Sequence, residues 1–198
     1  MIEEMKGKFI AFEGLDGSGL TTQSMMLRNY LLEKGINVVL TKEETDGLIG
    51  GLIKSCLRKE WKTDPLTVQL LFVADRNHHL KSGIEPALKQ GKVVITDRYV
   101  LSTLAFGGID IDMEFLKILN SKFRAPDYTF IIDVPAEVCL ERIKKSRFGV
   151  ELFEEKGKLE KIRKNYHNLK DYFPNTYIID GNREREKVFE DIKRILKI

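Results

Sequence analysis

At 198 residues, with 42% hydrophobic and 32% charged residues, the chain can bury the core of one domain and is too apolar to be disordered. A net charge of +3 gives no basis for nucleic-acid or membrane-surface binding, and no apolar run approaches the roughly 18 residues of a membrane span. The opening MIEEMKGK is too acidic for a secretory leader, and Cys56 and Cys139 lack metal spacing, so a cytoplasmic protein with reduced thiols is expected.

Phe9 to Phe12 is an apolar strand run, followed by Glu13 and a glycine-rich turn from Gly14 to Gly19. A helix from Thr21 to Lys34 follows, with Met25, Met26, Tyr30, Leu31 and Leu32 as its apolar positions and Gly35 as its stop. A strand, a glycine loop and a helix start in that order make a phosphate cradle, because backbone N–H groups converge on an anion beside the positive end of the helix dipole. The spacing Gly14-x4-Gly19-x-Thr21 matches the P-loop pattern except that Leu20 stands where that pattern has lysine.

INVVLT (36–41) reads as a second strand, and a helix is expected over 52–58. Asp64-Pro65 starts another, carrying Leu66, Leu70 and Val73 to about Leu80, and Gly83 restarts a short helix that ends at Gly91. VVITD (93–97) is a continuous apolar strand ending in a carboxylate, followed by helices over 99–106 and, capped by Asp112, over 113–123. YTFIIDV (128–134) is a fourth strand, and Pro135 opens a helix to about Lys145. A loop over 146–154, a basic helix over 155–172, a short strand at 177–179 and a helix over 184–197 complete the chain. This alternation predicts a single α/β domain over residues 1–198, a mainly five-stranded parallel sheet covered by helices on both faces.

Three further groups carry chemistry. Asp97-Arg98-Tyr99 sits at the C-terminal edge of a core strand, the edge that also carries the glycine loop, where ligands of open α/β sheets bind. Asp97 suits Mg²⁺ and Arg98 a phosphate, against a plain structural ion pair. Asp133 is a rival metal carboxylate, but its place before a helix start favours a structural role. Phe72 and Arg76 lie four apart on one helix face, an arrangement for stacking on a base and bonding its edge, although taken alone they read as core and solvated residues. His78 and His79 are adjacent and diverge, which argues against a metal site. Lys144-Lys145-Ser146-Arg147, with Arg142 a turn earlier, is either a solvated basic face or a lid, about 143–154, that closes cations over phosphates.

Taken together and in this order, the motifs resemble a thymidylate kinase over nearly the whole chain. FEGLDGSG resembles that family's phosphate loop, LLFVADRNHH its thymidine-binding helix and TDRY its Asp-Arg-Tyr/His motif. STLAF, APDYTFIIDVPAEVCLERI and FEEKGKLEKIRKNY resemble the segments that follow. The resemblance implies a P-loop three-layer α/β/α kinase that transfers the ATP γ-phosphate to dTMP with Mg²⁺, as a homodimer. Gly14, Leu15, Asp16, Gly17, Ser18, Gly19, Leu20, Thr21 and Thr22 would then hold ATP, with Thr21 and Asp97 on the metal. Glu13, Asp16, Glu43, Phe72, Arg76, Arg98, Ser102 and Phe106 would form the acceptor site, and Asp16, Arg98 and the lid arginine Arg147 would be catalytic.

The chain departs from the family pattern at Leu20, at Thr41-Lys42-Glu43-Glu44, at Gly107-Gly108 in place of Gln-Gly, and at Glu151-Leu152-Phe153-Glu154. Losing one preorganised donor slows phosphoryl transfer by about 10²–10³-fold without abolishing it, and Arg98, Arg147 or Lys42 could fill the gap. Gly107 removes a polar reader of the base, so relaxed base selectivity is expected. Two alternatives stay open, a nucleoside-monophosphate kinase of broad specificity and a nucleotide-binding protein without catalysis.

Overall fold

The computed structural model describes residues 5–146 and 156–198. Five strands, β1 (Phe9–Gly14), β2 (Val38–Lys42), β3 (Val93–Asp97), β4 (Tyr128–Asp133) and β5 (Thr176–Asp180), form one sheet in the order β2-β3-β1-β4-β5. Every pairing is parallel. All six residues of β1 are buried, as a central strand covered on both faces requires.

The order fixes where the helices go. From β1 to β2 the chain steps one way across the sheet, and from β2 to β3 and β3 to β4 it steps the other way. Right-handed crossovers then put α1 (Leu20–Glu33) on one face and α4 (Glu85–Lys89) and α5 (Val100–Gly107) on the opposite face. The closing helix α9 (Arg185–Leu196) packs beside α1, whereas α8 (Lys156–Asn168) packs on α5 and on α7 (Ala136–Ser146). The result is the expected three-layer α/β/α architecture. Neighbouring strands β1 and β3 therefore send their connections to opposite faces and leave a crevice at their carboxyl ends, where ligands of such sheets bind. Register brings the ends level, with Phe12 and Lys42 both opposite Asp97 and Gly14 opposite Ile132.

Several expectations need correcting. On α1, Leu31 enters the core as expected, but Met25 and Leu32 are exposed and Leu27 is buried instead. After α2 (Leu48–Leu57), helix α3 (Pro65–His79) starts where expected, with Asp64 Oδ1 accepting from the Thr67 N–H at 3.0 Å. Its outward face, however, carries Leu66 and Leu70, while Gln69, Asp75, Arg76 and His79 are buried. Gly83 does not restart a helix; α3 runs through a π-helical turn (Leu80–Ile84) into α4. Helix α6 (Met113–Asn120), capped by Asp112, and α8 are each shorter than the periodicity suggested. The predicted lid falls mostly outside the described residues, and Arg147 with it.

Candidate active site

The phosphate loop leaves β1 at Gly14, whose φ of 148° and a hypothetical Cβ only 2.7 Å from the Ile132 carbonyl exclude any side chain. Gly19 caps α1 without a side-chain hydrogen bond, so the first-turn N–H groups of α1 are left for a ligand. Ser18 Oγ is buried in this loop without a hydrogen-bond partner among the described residues. An orphaned hydroxyl beside a bare helix start suits a phosphate oxygen. Leu20 is 5% exposed, and its Cδ2 lies over Gly14, 3.4 Å from that hypothetical Cβ.

Residues 15–22 form one wall of a cleft of about 1380 Å³. One small-molecule pocket typically occupies about 300–1,000 Å³, so this cleft has room for two nucleotides end to end. It is also bordered by Phe72 and Arg76 of α3 and by Ser102 and Phe106 of α5. Cations border it as well: Lys42, Lys54, Arg58, Arg142, Arg183 and Arg185. Asp97 and Thr21 also border it, and the Thr21 hydroxyl donates to Asp97 Oδ2 at 2.6 Å. A hydroxyl and a carboxylate side by side at the end of the phosphate loop are hard oxygen donors of the kind Mg²⁺ takes.

Arg98 connects the two ends. Its Nη2 donates to Asp16 Oδ1 at 2.6 Å, and its Nη1 to the Gly14 carbonyl at 2.9 Å and to Ser102 Oγ at 3.1 Å. The guanidinium lies 5.2 Å from the centre of the Phe106 ring. Burial alone would weaken its hold on the proton, but the charges of Asp16 and Asp97 outweigh that and keep it cationic. Beneath it, Glu13 is fully buried and supports the site from below rather than lining the cleft: Oε1 accepts from the Leu101 N–H at 3.0 Å and Oε2 from the Ser102 hydroxyl at 2.5 Å. Burial pushes the Glu13 carboxyl up to about 7, against the opposing pull of Ser102 and Arg98.

Arg76 is 1% exposed and held by residues from four elements or their edges. Its Nε donates to Glu43 Oε2 at 2.8 Å, Nη1 to Asn120 Oδ1 at 2.5 Å, and Nη2 to the Tyr99 carbonyl and Thr103 Oγ1 at 3.1 and 2.9 Å. Nη2 also lies 2.6 Å from Glu43 Oε2, and of the five N–H donors of the guanidinium one, on Nη1, is not engaged by these bonds. Glu43 is itself buried, with His79 Nδ1 3.5 Å from its Oε1. It thus holds Arg76 in place. Phe72 is half-buried on the same face of α3 as Arg76. Asp133, by contrast, takes two hydrogen bonds from Arg163 at 2.7 and 2.6 Å, the structural role anticipated for it.

The structure thus brings together every predicted site residue it describes, around or directly beneath one cleft. Sequence reasoning passed over Tyr166, whose hydroxyl lies 2.8 Å from Ser102 Oγ and 3.4 Å from Arg98 Nη1. The signal was there: Leu159, Ile162 and Tyr166 share one buried stripe of α8 at helical spacing. It also passed over Thr103 and Asn120, which no local pattern distinguishes. Of the residues proposed to replace the loop lysine, Arg98 is committed to Asp16, and Lys42 lies 3.5 Å from Asp46. Arg142, weighed only as part of the lid, reaches the Gly17 carbonyl at 3.3 Å.

Comparison with known proteins agrees with this geometry. Residues 12–192 match the family model described as thymidylate kinase. A probable thymidylate kinase of Pyrococcus horikoshii is 39% identical, covering 98% of this chain and 97% of its own length. The thymidylate kinase of Caldicellulosiruptor saccharolyticus is 37% identical, with 97% of each chain covered. A match across nearly the full length, on a parallel sheet with its phosphate loop at the β1–β3 crevice, makes the chain a phosphotransferase of the nucleoside-monophosphate kinase type and a member of the thymidylate kinase family.

Proposed function

We propose that the protein transfers the γ-phosphoryl group of ATP to dTMP, with Mg²⁺, to give dTDP and ADP. The observation that carries this reading is Arg98, which spans the phosphate loop at Gly14 and Asp16 and the base end of the cleft at Ser102 and Phe106. A cation between two phosphate-holding ends suits phosphoryl transfer, where catalysis is positioning and charge neutralisation rather than covalent chemistry.

In this reading the loop N–H groups and Ser18 hold the donor phosphates, and Thr21 and Asp97 hold the metal. Bound there, Mg²⁺ would neutralise charge on the donor phosphates. Arg98 bridges the acceptor phosphate and the group in transfer, and Asp16, held by Arg98, meets the sugar hydroxyl of the acceptor. Phe72 stacks on the base and the remaining N–H of Arg76 bonds its edge, while Ser102 and Phe106 close the pocket. Arg147, outside the described residues, remains the candidate lid cation. The assay is direct: purified protein with Mg·ATP and dTMP yields dTDP and ADP in equal amounts, and no dTDP at micromolar enzyme would overturn the reading.

The protein further acts as a homodimer on this reading. Helices α2 and α3 pack together and leave Leu52, Leu57, Leu66 and Leu70 exposed, an apolar face that a second copy would cover. Light scattering should give twice the chain mass for wild type and a single chain mass for Leu70→Glu; a wild-type monomer refutes the dimer.

A further inference from the structure

We infer that Gln69 reads the base of the acceptor nucleotide and takes over the role left open by the missing side chain at Gly107. The inference rests on the acceptor site proposed above. Gln69, Phe72 and Arg76 stand at i, i+3 and i+7 of α3, one stripe, and all three border the base end of the cleft. Gln69 is only 9% exposed, yet its Oε1 has no hydrogen-bond partner among the described residues. Buried amide groups are almost always paired, so an unpartnered one on a residue that borders the cleft is a group a ligand atom can satisfy once the side chain turns toward it.

Gly107 explains how the carboxamide comes to be there. A Cβ at position 107 would stand 2.8 Å from Gln69 Cδ and 3.0 Å from its Oε1, so any side chain there would displace the carboxamide. The bare backbone of α5 and the amide from α3 are therefore two halves of one arrangement. The polar group has moved from one helix to the next, and the pocket has not lost it. On this inference base selectivity is kept, where Gly107 alone would suggest its loss.

The chemistry selects a base. Arg76 offers only donors, so the edge it meets must present a carbonyl oxygen. Thymine and uracil carry such an oxygen, O4, next to an N3–H, and that N–H is what the orphaned Oε1 of Gln69 accepts. Cytosine has an amino group in place of O4 and a bare lone pair at N3. It would set two donors against each other at Arg76 and leave Gln69 Oε1 facing a lone pair. A site built to pair a polar edge discriminates far more strongly than an apolar one.

The test measures kcat/KM for dTMP and dCMP with Mg·ATP, together with the thermal midpoint. Wild type should prefer dTMP by roughly 10²-fold or more. Gln69→Ala should lower that ratio at least about tenfold, chiefly by raising KM for dTMP, with little change in thermal midpoint. Gly107→Ala should lower the ratio in the wild-type background, by pushing the amide aside, and have no further effect beside Gln69→Ala. Gln69→Ala with Gly107→Gln should restore it, a rescue that a merely structural glutamine would not give. Turnover of dTMP with a ratio unmoved by Gln69→Ala overturns the role of Gln69 alone; no turnover of dTMP by wild type overturns that role and the acceptor assignment together.

Discussion

The phosphate loop and α3 border the same cleft but are built by opposite means. The loop works through its backbone: positive-φ glycines, a bare helix start and one orphaned hydroxyl, with its hydrophobic Leu20 folded into the core. Helix α3 works through side chains, and it is turned inside out. Leu66 and Leu70 face outward while Gln69, Asp75, Arg76 and His79 are buried. Most of its polar face is met from elsewhere, with Glu43 and Asn120 on Arg76, Thr45 on Asp75 at 2.6 and 2.8 Å and Thr41 on His79 at 2.7 Å, while Gln69 Oε1 has no partner among the described residues. A backbone site can therefore bear side-chain change and keep its fold, whereas a buried polar lattice ties binding to folding.

Substitutions at the two ends should accordingly fail in different ways. Arg98→Ala, which removes the cation reaching across from the loop, should lower kcat by about 10³-fold or more. Its circular dichroism and urea midpoint should stay near wild type, because Asp16 is partly exposed and tolerates losing its partner; a large loss of stability would place Arg98 in the same class as α3. Arg76→Ala should show the reverse pattern. It strands Glu43 as a buried, uncompensated carboxylate and should cost about 3–5 kcal/mol of stability, read as a fall in the urea midpoint. Replacing both partners, Glu43→Leu with Arg76→Leu, should recover part of that stability while base binding stays lost.

Smaller effects sharpen the contrast. Leu20→Lys adds one donor to a cradle already shaped by its backbone, so kcat should rise by about tenfold to 10²-fold, while the loss of a buried leucine lowers the urea midpoint. A fall in kcat would mean that another cation, such as Arg142, which reaches the Gly17 carbonyl at 3.3 Å, already fills the place. Glu13 lies between the two ends and gives a pH signature. Burial holds its folded-state carboxyl at about 7, above its ordinary value of 4.5. The folded protein therefore binds more protons than the unfolded one between these values. Stability contributed by this group is full below about pH 4.5 and lost as pH rises through about 7, by at most about 3 kcal/mol. Glu13→Gln should flatten that slope when urea midpoints at pH 5 and pH 7.5 are compared.

The same contrast explains what could be read from residue order. The loop, the strands and the place of Asp97 on the same sheet edge as Gly14 were legible, because glycine spacing and continuous apolar runs are local signals that a parallel sheet preserves. Phe72 and Arg76 were legible only as part of a wider set of motifs. The orientation of α3 was not: Leu66, Leu70 and Val73 look like a core stripe, and nothing nearby says that Glu43, Thr103 and Asn120 will meet the polar side instead. The surroundings of Gly107 were equally illegible, since the residue packed against it, Gln69, is 38 positions away in the chain. Met25 and Leu32 likewise matched a helical period but fall on the solvent side of α1, leaving Leu27 and Leu31 to pack.

Arg98 adopts a φ of 74°, a twist that disfavours any residue bearing a side chain by about 1–3 kcal/mol. Two fasteners keep it there: its own N–H on the Phe12 carbonyl at 2.9 Å, and the Thr96 hydroxyl on its carbonyl oxygen at 2.8 Å. The guanidinium is thereby swung back over the neighbouring strand like an arm on a spring. A hydroxyl sealed in the middle of the sheet, which no nucleotide ever touches, thus helps set where the reactive charge comes to rest.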